Sequence, residues 1–87
     1  MTELKEYRNE IDLIDKELVQ LLEKRLELSK KIGQYKKERN MEVLNIEREK
    51  EVLEKNLSLV EIHDYRPYIS EILKAIMEES KKLQSKL

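Results

Sequence analysis

Read in heptads from Leu4, the first forty residues place apolar side chains in two adjoining columns. One runs Leu4, Ile11, Leu18, Arg25, Ile32, and the next Tyr7, Ile14, Leu21, Leu28, Tyr35. A flanking column is Arg8, Asp15, Leu22, Ser29, Lys36. Recurrence at this spacing predicts an amphipathic helix over residues 3–39. Thr2 suits its N-cap and Asn40 its end. The lone glycine, Gly33, falls inside the pattern and costs about 1 kcal/mol of helix stability without ending it. After a connection over residues 40–45, Asn45 is placed to cap a second helix over residues 46–60. Glu47 and Glu49 fall in its first turn, where the helix dipole favours acids. Its apolar face is Val52, Leu53 and Leu57. Residues 61–66 read as a loop, and Pro67 suits the first turn of a third helix over residues 67–86. That helix carries the stripe Ile69, Ile72, Leu73, Ile76, Met77, Ser80, Leu83, Gln84, Leu87. The expected fold class is all-α, with a long, a short and a medium helix in one domain spanning residues 1–87.

Composition sharpens this reading. Ala, Glu, Lys, Leu and Arg supply more than half of the chain, against one Gly, one Pro and no Phe or Trp. That is the profile of long helices or coiled coil, and it argues against a sheet. A net charge of -1 and a regular Leu/Ile pattern argue against disorder despite 43% charged residues. Lys and Arg are interleaved with Glu throughout, so no basic face for nucleic acid is expected. Without cysteine there is no disulfide framework and no thiolate zinc site. No metal and no cofactor are expected. No segment is apolar for long enough to cross a membrane, and the charged start does not read as a secretory signal. The expectation is a cytoplasmic protein with no membrane partner.

Length constrains assembly. A helix over residues 3–39 is roughly 55 Å long. A compact domain of this size has a radius of gyration of about 12 Å, hence a diameter near 30 Å. Two shorter helices of the same chain cannot cover such a rod. Either the helix breaks near Gly33 or a second chain covers the stripe. The expectation is a symmetric, intertwined homodimer.

The polar residues on the apolar faces carry the functional signal. Arg25 sits in a core column between Leu18 and Ile32. Arg8 and Lys36 lie in the flanking column, and Ser80 and Gln84 on the inner face of the third helix. Buried charge is costly unless paired. No acid neighbours Arg25 on its own helix, which leaves an acid on another helix or an anionic ligand. Arg25 and Lys36 are about three turns apart with an angular offset of about 20°, so the two cations can converge on one small anion. Plainer readings exist for each residue alone. Long basic stems snorkel from core edges, and a polar core residue can fix register. Arg48 and Glu49 suit a solvated first turn, Asn45 a cap, and His63 an exposed loop position.

As a set, these residues resemble a known family. The run Arg8-x2-Ile11-x2-Ile14-Asp15-x2-Leu18-x2-Leu21-Leu22-x2-Arg25, then Ile32-x3-Lys36, resembles the first helix of the all-helical (AroQ-type) chorismate mutases. Val43-x-Asn45-x2-Arg48-Glu49 is similar to their loop and second-helix motif. Ile76-Met77-Glu78-x-Ser80-x3-Gln84 is similar to their third helix. The resemblance implies a homodimeric helical bundle acting on chorismate. It implies that Arg25 binds a substrate carboxylate, that Arg8 reaches the substrate from the partner subunit, and that Lys36 and Gln84 hydrogen-bond the ether oxygen whose bond breaks. Arg48 and Ser80 would complete the polar wall, and Glu49 would accept the substrate hydroxyl. The family carries an acid where this chain has Asn45, so that contact is expected to be weakened and not lost.

The implied chemistry suits these residue types. An intramolecular [3,3] rearrangement of chorismate to prephenate needs no nucleophile, metal or external proton carrier. It needs a compact reactive conformer and donors for the charge growing on the ether oxygen. Two rivals remain open. One is a lyase of the same fold that splits isochorismate into salicylate and pyruvate, for which Arg48-Glu49 is less apt. The other is a non-catalytic helical dimerisation module, in which Arg25 would pair with an acid of another chain.

Overall fold

From Thr2 to Glu38 the chain forms a single unbroken helix, α1, in a computed structural model that describes residues 2–87. It continues through Gly33. It ends on Asn40, which takes the left-handed conformation at φ 55° that asparagine tolerates. Met41 N–H donates to the Lys36 carbonyl at 2.8 Å and Asn40 N–H to that of Lys37 at 3.3 Å. This is a Schellman termination, and it turns the chain sharply back. Thr2, expected as a cap, is the first helical residue instead.

Helix α2 (Ile46–Leu57) begins where Asn45 accepts the Arg48 N–H at 3.0 Å. It stops three residues before the expected residue 60. The Ser58 hydroxyl donates to the Lys55 carbonyl at 2.6 Å, and Leu59 N–H turns to Asn56 at 3.0 Å. These local bonds compete with continuation of the helix. The stretch expected as a loop contains a 3-10 turn, His63–Tyr65, that feeds directly into α3 (Arg66–Ser85), with Pro67 in its first turn. The described residues contain no strand.

Both α1 and α2 pack on α3 and not on each other. The molecule is correspondingly elongated, 56 × 25 × 15 Å with a radius of gyration of 16.2 Å. Val52 is the one buried apolar side chain among the described residues. Both apolar columns of α1 are open to solvent: Tyr7 and Ile14 are 62% exposed and Leu21 is 61% exposed. The accessible surface is 7798 Å². A folded monomer of this mass is expected to expose only about 5,400 Å². Nearly all of the buried polar character lies where α1 meets α3, at Ser29 and Ser80.

Candidate active site

The space between α1 and α2, floored by α3, is an open cleft of about 280 Å³. Its walls carry Arg25 and Lys36 from α1, Asn45, Arg48 and Glu49 from the start of α2, and Ser80 and Gln84 from α3. Seven of the eight residues singled out from the sequence therefore line one cavity. The eighth, Arg8, does not. It lies near the opposite end of α1, beside Leu4 and Lys5, on a separate shallow groove.

Local structure explains how each side chain is held. Arg25 donates from Nη1 to the Ser80 hydroxyl at 2.9 Å. Among the described residues no acid pairs with it, and its remaining guanidinium donors are available on the cleft wall. The Lys36 ammonium donates to the Val43 carbonyl at 3.0 Å. One of its three hydrogens thus ties down the loop that follows α1, leaving two for a ligand. Asn45 spends its Oδ1 on the α2 cap, so what it can offer the cleft is its amide N–H donors. Arg48 bonds Glu51 one turn along α2. That pair is exposed, and such pairs are worth little, so the guanidinium is readily diverted to a ligand.

Two lining residues escaped the sequence reading. Ser29, 5% exposed, accepts from the Gln84 amide at 3.0 Å and donates to the Ser80 carbonyl at 3.5 Å. Gln84 has two amide hydrogens. The bond to Ser29 occupies one and leaves the other available on the cleft wall. Ser29 stands one turn after Arg25 and seven residues before Lys36, on the same helix face, and that register was the available signal. Lys81 bonds Glu49 at 2.9 Å and Glu78 at 3.1 Å. The hydrogen bond it donates to Glu49, then that to Glu78, raises its pKa above the ordinary lysine value. The ammonium is therefore charged at neutral pH. Its contribution to stability is complete below the ordinary lysine pKa and is lost as pH rises through the raised one.

Gly33 has a packing reason invisible in the sequence. A Cβ there would lie 2.9 Å from Cγ and 3.1 Å from Cβ of Gln84, and 2.7 Å from Cδ1 of Leu87. The Leu87 tip can swing away, but Gln84 Cβ moves only with α3. Gly33→Ala gains about 1 kcal/mol of helix propensity and meets an overpacking cost of about 1–3 kcal/mol. The net runs from no change to a loss of about 2 kcal/mol, so the melting temperature should hold or fall. Gln84 should be displaced and its bond to Ser29 lengthened, and an unchanged Gln84–Ser29 contact in a structure of the variant would show that Gln84 placement does not depend on this close approach.

The cleft gathers four cations, Arg25, Lys36, Arg48 and Lys81, around one acid, Glu49, in a chain whose net charge is -1. Among the described residues no acid, His or Cys cluster could hold a metal ion. No helix among the described residues is long and apolar enough to cross a membrane. A concave, positively charged cavity with convergent amide and hydroxyl groups is built for a small polyanion. The family described as chorismate mutase type II matches residues 7–85, which includes every lining residue. The chain belongs to the chorismate mutase type II family. It is 41% identical over 85 residues to a bifunctional chorismate mutase/prephenate dehydratase of Aquifex aeolicus, covering 84% of this chain and 24% of that protein. A protein of the same description from Buchnera aphidicola subsp. Acyrthosiphon pisum is 42% identical over 93% of this chain and 21% of its own length. The T-protein of Haemophilus influenzae is 36% identical over 92% of this chain and 22% of its own length. The chain thus spans about a quarter of the length of these curated relatives. No solved structure matches it.

Proposed function

We propose that this chain is a chorismate mutase that rearranges chorismate to prephenate, a step that feeds aromatic amino acid biosynthesis. We further propose that it works as an intertwined homodimeric bundle with two active sites. The observation that carries the activity is the single cleft lined by Arg25, Lys36, Arg48, Glu49, Ser80 and Gln84. In it, Arg25 and Arg48 bind the substrate carboxylates and select the compact conformer, and Ser80 holds Arg25 in place. Lys36 Nζ and Gln84 Nε2 donate to the ether oxygen as the carbon–oxygen bond opens, where preorganised donors in a partly enclosed site act most strongly. Glu49 accepts the substrate hydroxyl. Asn45, lacking the family's acid, contributes a donor to the same wall. The new carbon–carbon bond forms as the old bond breaks, so no proton changes hands.

Two facts support the dimer. The chain exposes about 2,400 Å² more than a folded monomer of its mass. Covering that excess on two chains amounts to about 4,800 Å², within the range of obligate homodimers. The uncovered area follows the α1 stripe, a surface that two-fold pairing can bury against itself. In such a dimer Arg8 of the partner subunit reaches the cleft that its own chain leaves unfinished.

The test is direct. Purified protein is mixed with chorismate, the loss of chorismate absorbance is followed, and the product is identified. Prephenate is the expected product. Salicylate from isochorismate, with chorismate untouched, would assign the lyase reaction instead. Inertness towards both acids would favour a dimerisation module, in which Arg25 pairs with an acid of another chain.

A further inference from the structure

Helix α2 carries Glu49, yet it is attached to the rest of the chain in an unusual way. It packs on α3 and leaves α1 across an open gap. Among the described residues, the ion pairs within α2 and within α3 join side chains of one helix, as Arg48–Glu51, Lys74–Glu71 and Lys82–Glu79 do. The Lys81–Glu49 bridge at 2.9 Å is the one that joins two helices. Its members are 31% and 29% exposed, the least exposed of any ion pair described. On its other side the same ammonium bonds Glu78 at 3.1 Å. Glu78 lies three residues before Lys81 on α3, so the ammonium is braced against its own helix while it holds the other.

We propose that Lys81 is a positioning residue for Glu49. Its ammonium fixes the start of α2 against α3, takes Oε1 of the carboxylate and leaves Oε2 directed to the substrate hydroxyl. The inference rests on the chorismate mutase reading given above and extends it to a residue outside the set that contacts substrate.

Three features of the structure support it. Glu49 sits in the first turn of α2, and a fixed ion-pair partner selects one of the rotamers that its flexible side chain can adopt. A carboxylate has about four lone-pair sites, so engagement with one ammonium leaves acceptor capacity for a hydroxyl. The charged groups facing Lys81 are Glu49 from α2 and Glu78 from α3. Both hold it in the ammonium form, which the raised pKa expresses, so the clamp persists at neutral pH.

The experiment is a double-mutant cycle. Lys81→Met keeps the length of the stem and removes the charge; Glu49→Gln removes the carboxylate; the double variant combines them. Steady-state kinetics with chorismate are measured for all three and for the parent protein, with circular dichroism to confirm folding. Lys81→Met should lower kcat/KM by about tenfold, below the about 10²-fold that a 1 Å misplacement can cost. In the Glu49→Gln background the same change should cost less than about twofold, because the group it positions is gone. Lys81→Arg, which retains a cation at the bridge, should recover most of the loss. An equal loss in both backgrounds would mean that Lys81 acts on substrate directly, and no loss in Lys81→Met would remove any role; either result overturns the proposal. Should Lys81→Met fail to fold, Lys81→Gln serves in its place. Failure of the underlying reading is separately visible, since the parent protein itself would then leave chorismate unchanged.

Discussion

Lys36→Ala is expected to lower kcat by about 10²–10³-fold, the loss typical of removing one preorganised donor to a developing oxyanion. The fall in kcat should far exceed any rise in KM. The reason lies in when the interaction is made. The ether oxygen of chorismate carries little charge in the ground state, so a donor aimed at it contributes little to binding. As the carbon–oxygen bond opens, charge builds on that oxygen and the same donor becomes strong. An interaction made mainly in the transition state shows in kcat and not in KM. Lys36 has a second task, because its ammonium holds the Val43 carbonyl at 3.0 Å. Loss of that bond loosens residues 41–45 and hence Asn45, which caps α2. If loop anchoring were its main role, Lys36→Ala would lower the melting temperature and raise KM while leaving kcat near the parent value. Lys36→Met keeps the stem but, like Lys36→Ala, has no donor for the ether oxygen or the Val43 carbonyl, so its kcat should fall to the same extent. Kinetics of both variants beside their thermal unfolding decide the matter, and unchanged turnover in a folded Lys36→Ala protein would remove the mechanism.

What could be read from the sequence, and what could not, follows from the range of the interactions. The three helices were legible because their signals are local. The α1 columns repeat over the whole helix, Asn40 supplies a residue that accepts the left-handed conformation, and Asn45 caps the turn it immediately precedes. The premature end of α2 depends on which hydrogen bonds Ser58 chooses, and its apolar pattern does not report that choice. The cleft-lining Arg25, Lys36, Ser80 and Gln84 stood out because each interrupts an apolar stripe. Ser29 interrupts one too, but a small hydroxyl is tolerated at many helix positions, and only the approach of Gln84 from α3 gives it meaning. Lys81 reads along the chain as half of a surface pair with Glu78. Its partner on α2 is 32 positions away and is set by packing. Gly33 was legible as a weak point of the helix and not as the place where Gln84 comes closest. Arg8 is the reverse case. The family resemblance implies that it is a site residue, yet within one chain it lies far from the cleft.

That separation gives the most direct test of the central claim, that each cleft is completed by a second copy of the chain. Arg8 and Arg25 are 17 positions apart on one unbroken helix, about 25 Å along its axis and facing directions about 100° apart. No small dianion touches both in one chain. Arg8→Ala and Arg25→Ala proteins are each expected to be inactive as homodimers, because every site lacks one arginine. Unfolding them together in equal amounts and refolding gives random pairing, in which about half of the dimers are mixed. In a mixed dimer one cleft has Arg25 from the first chain and Arg8 from the second, and the other cleft lacks both. About a quarter of the parent activity per site should therefore return, with the dimeric state and subunit exchange verified by mass. If Arg8 served its own chain, every cleft in the mixture would still lack an arginine, and a mixture that remains inactive after verified exchange would contradict the shared site.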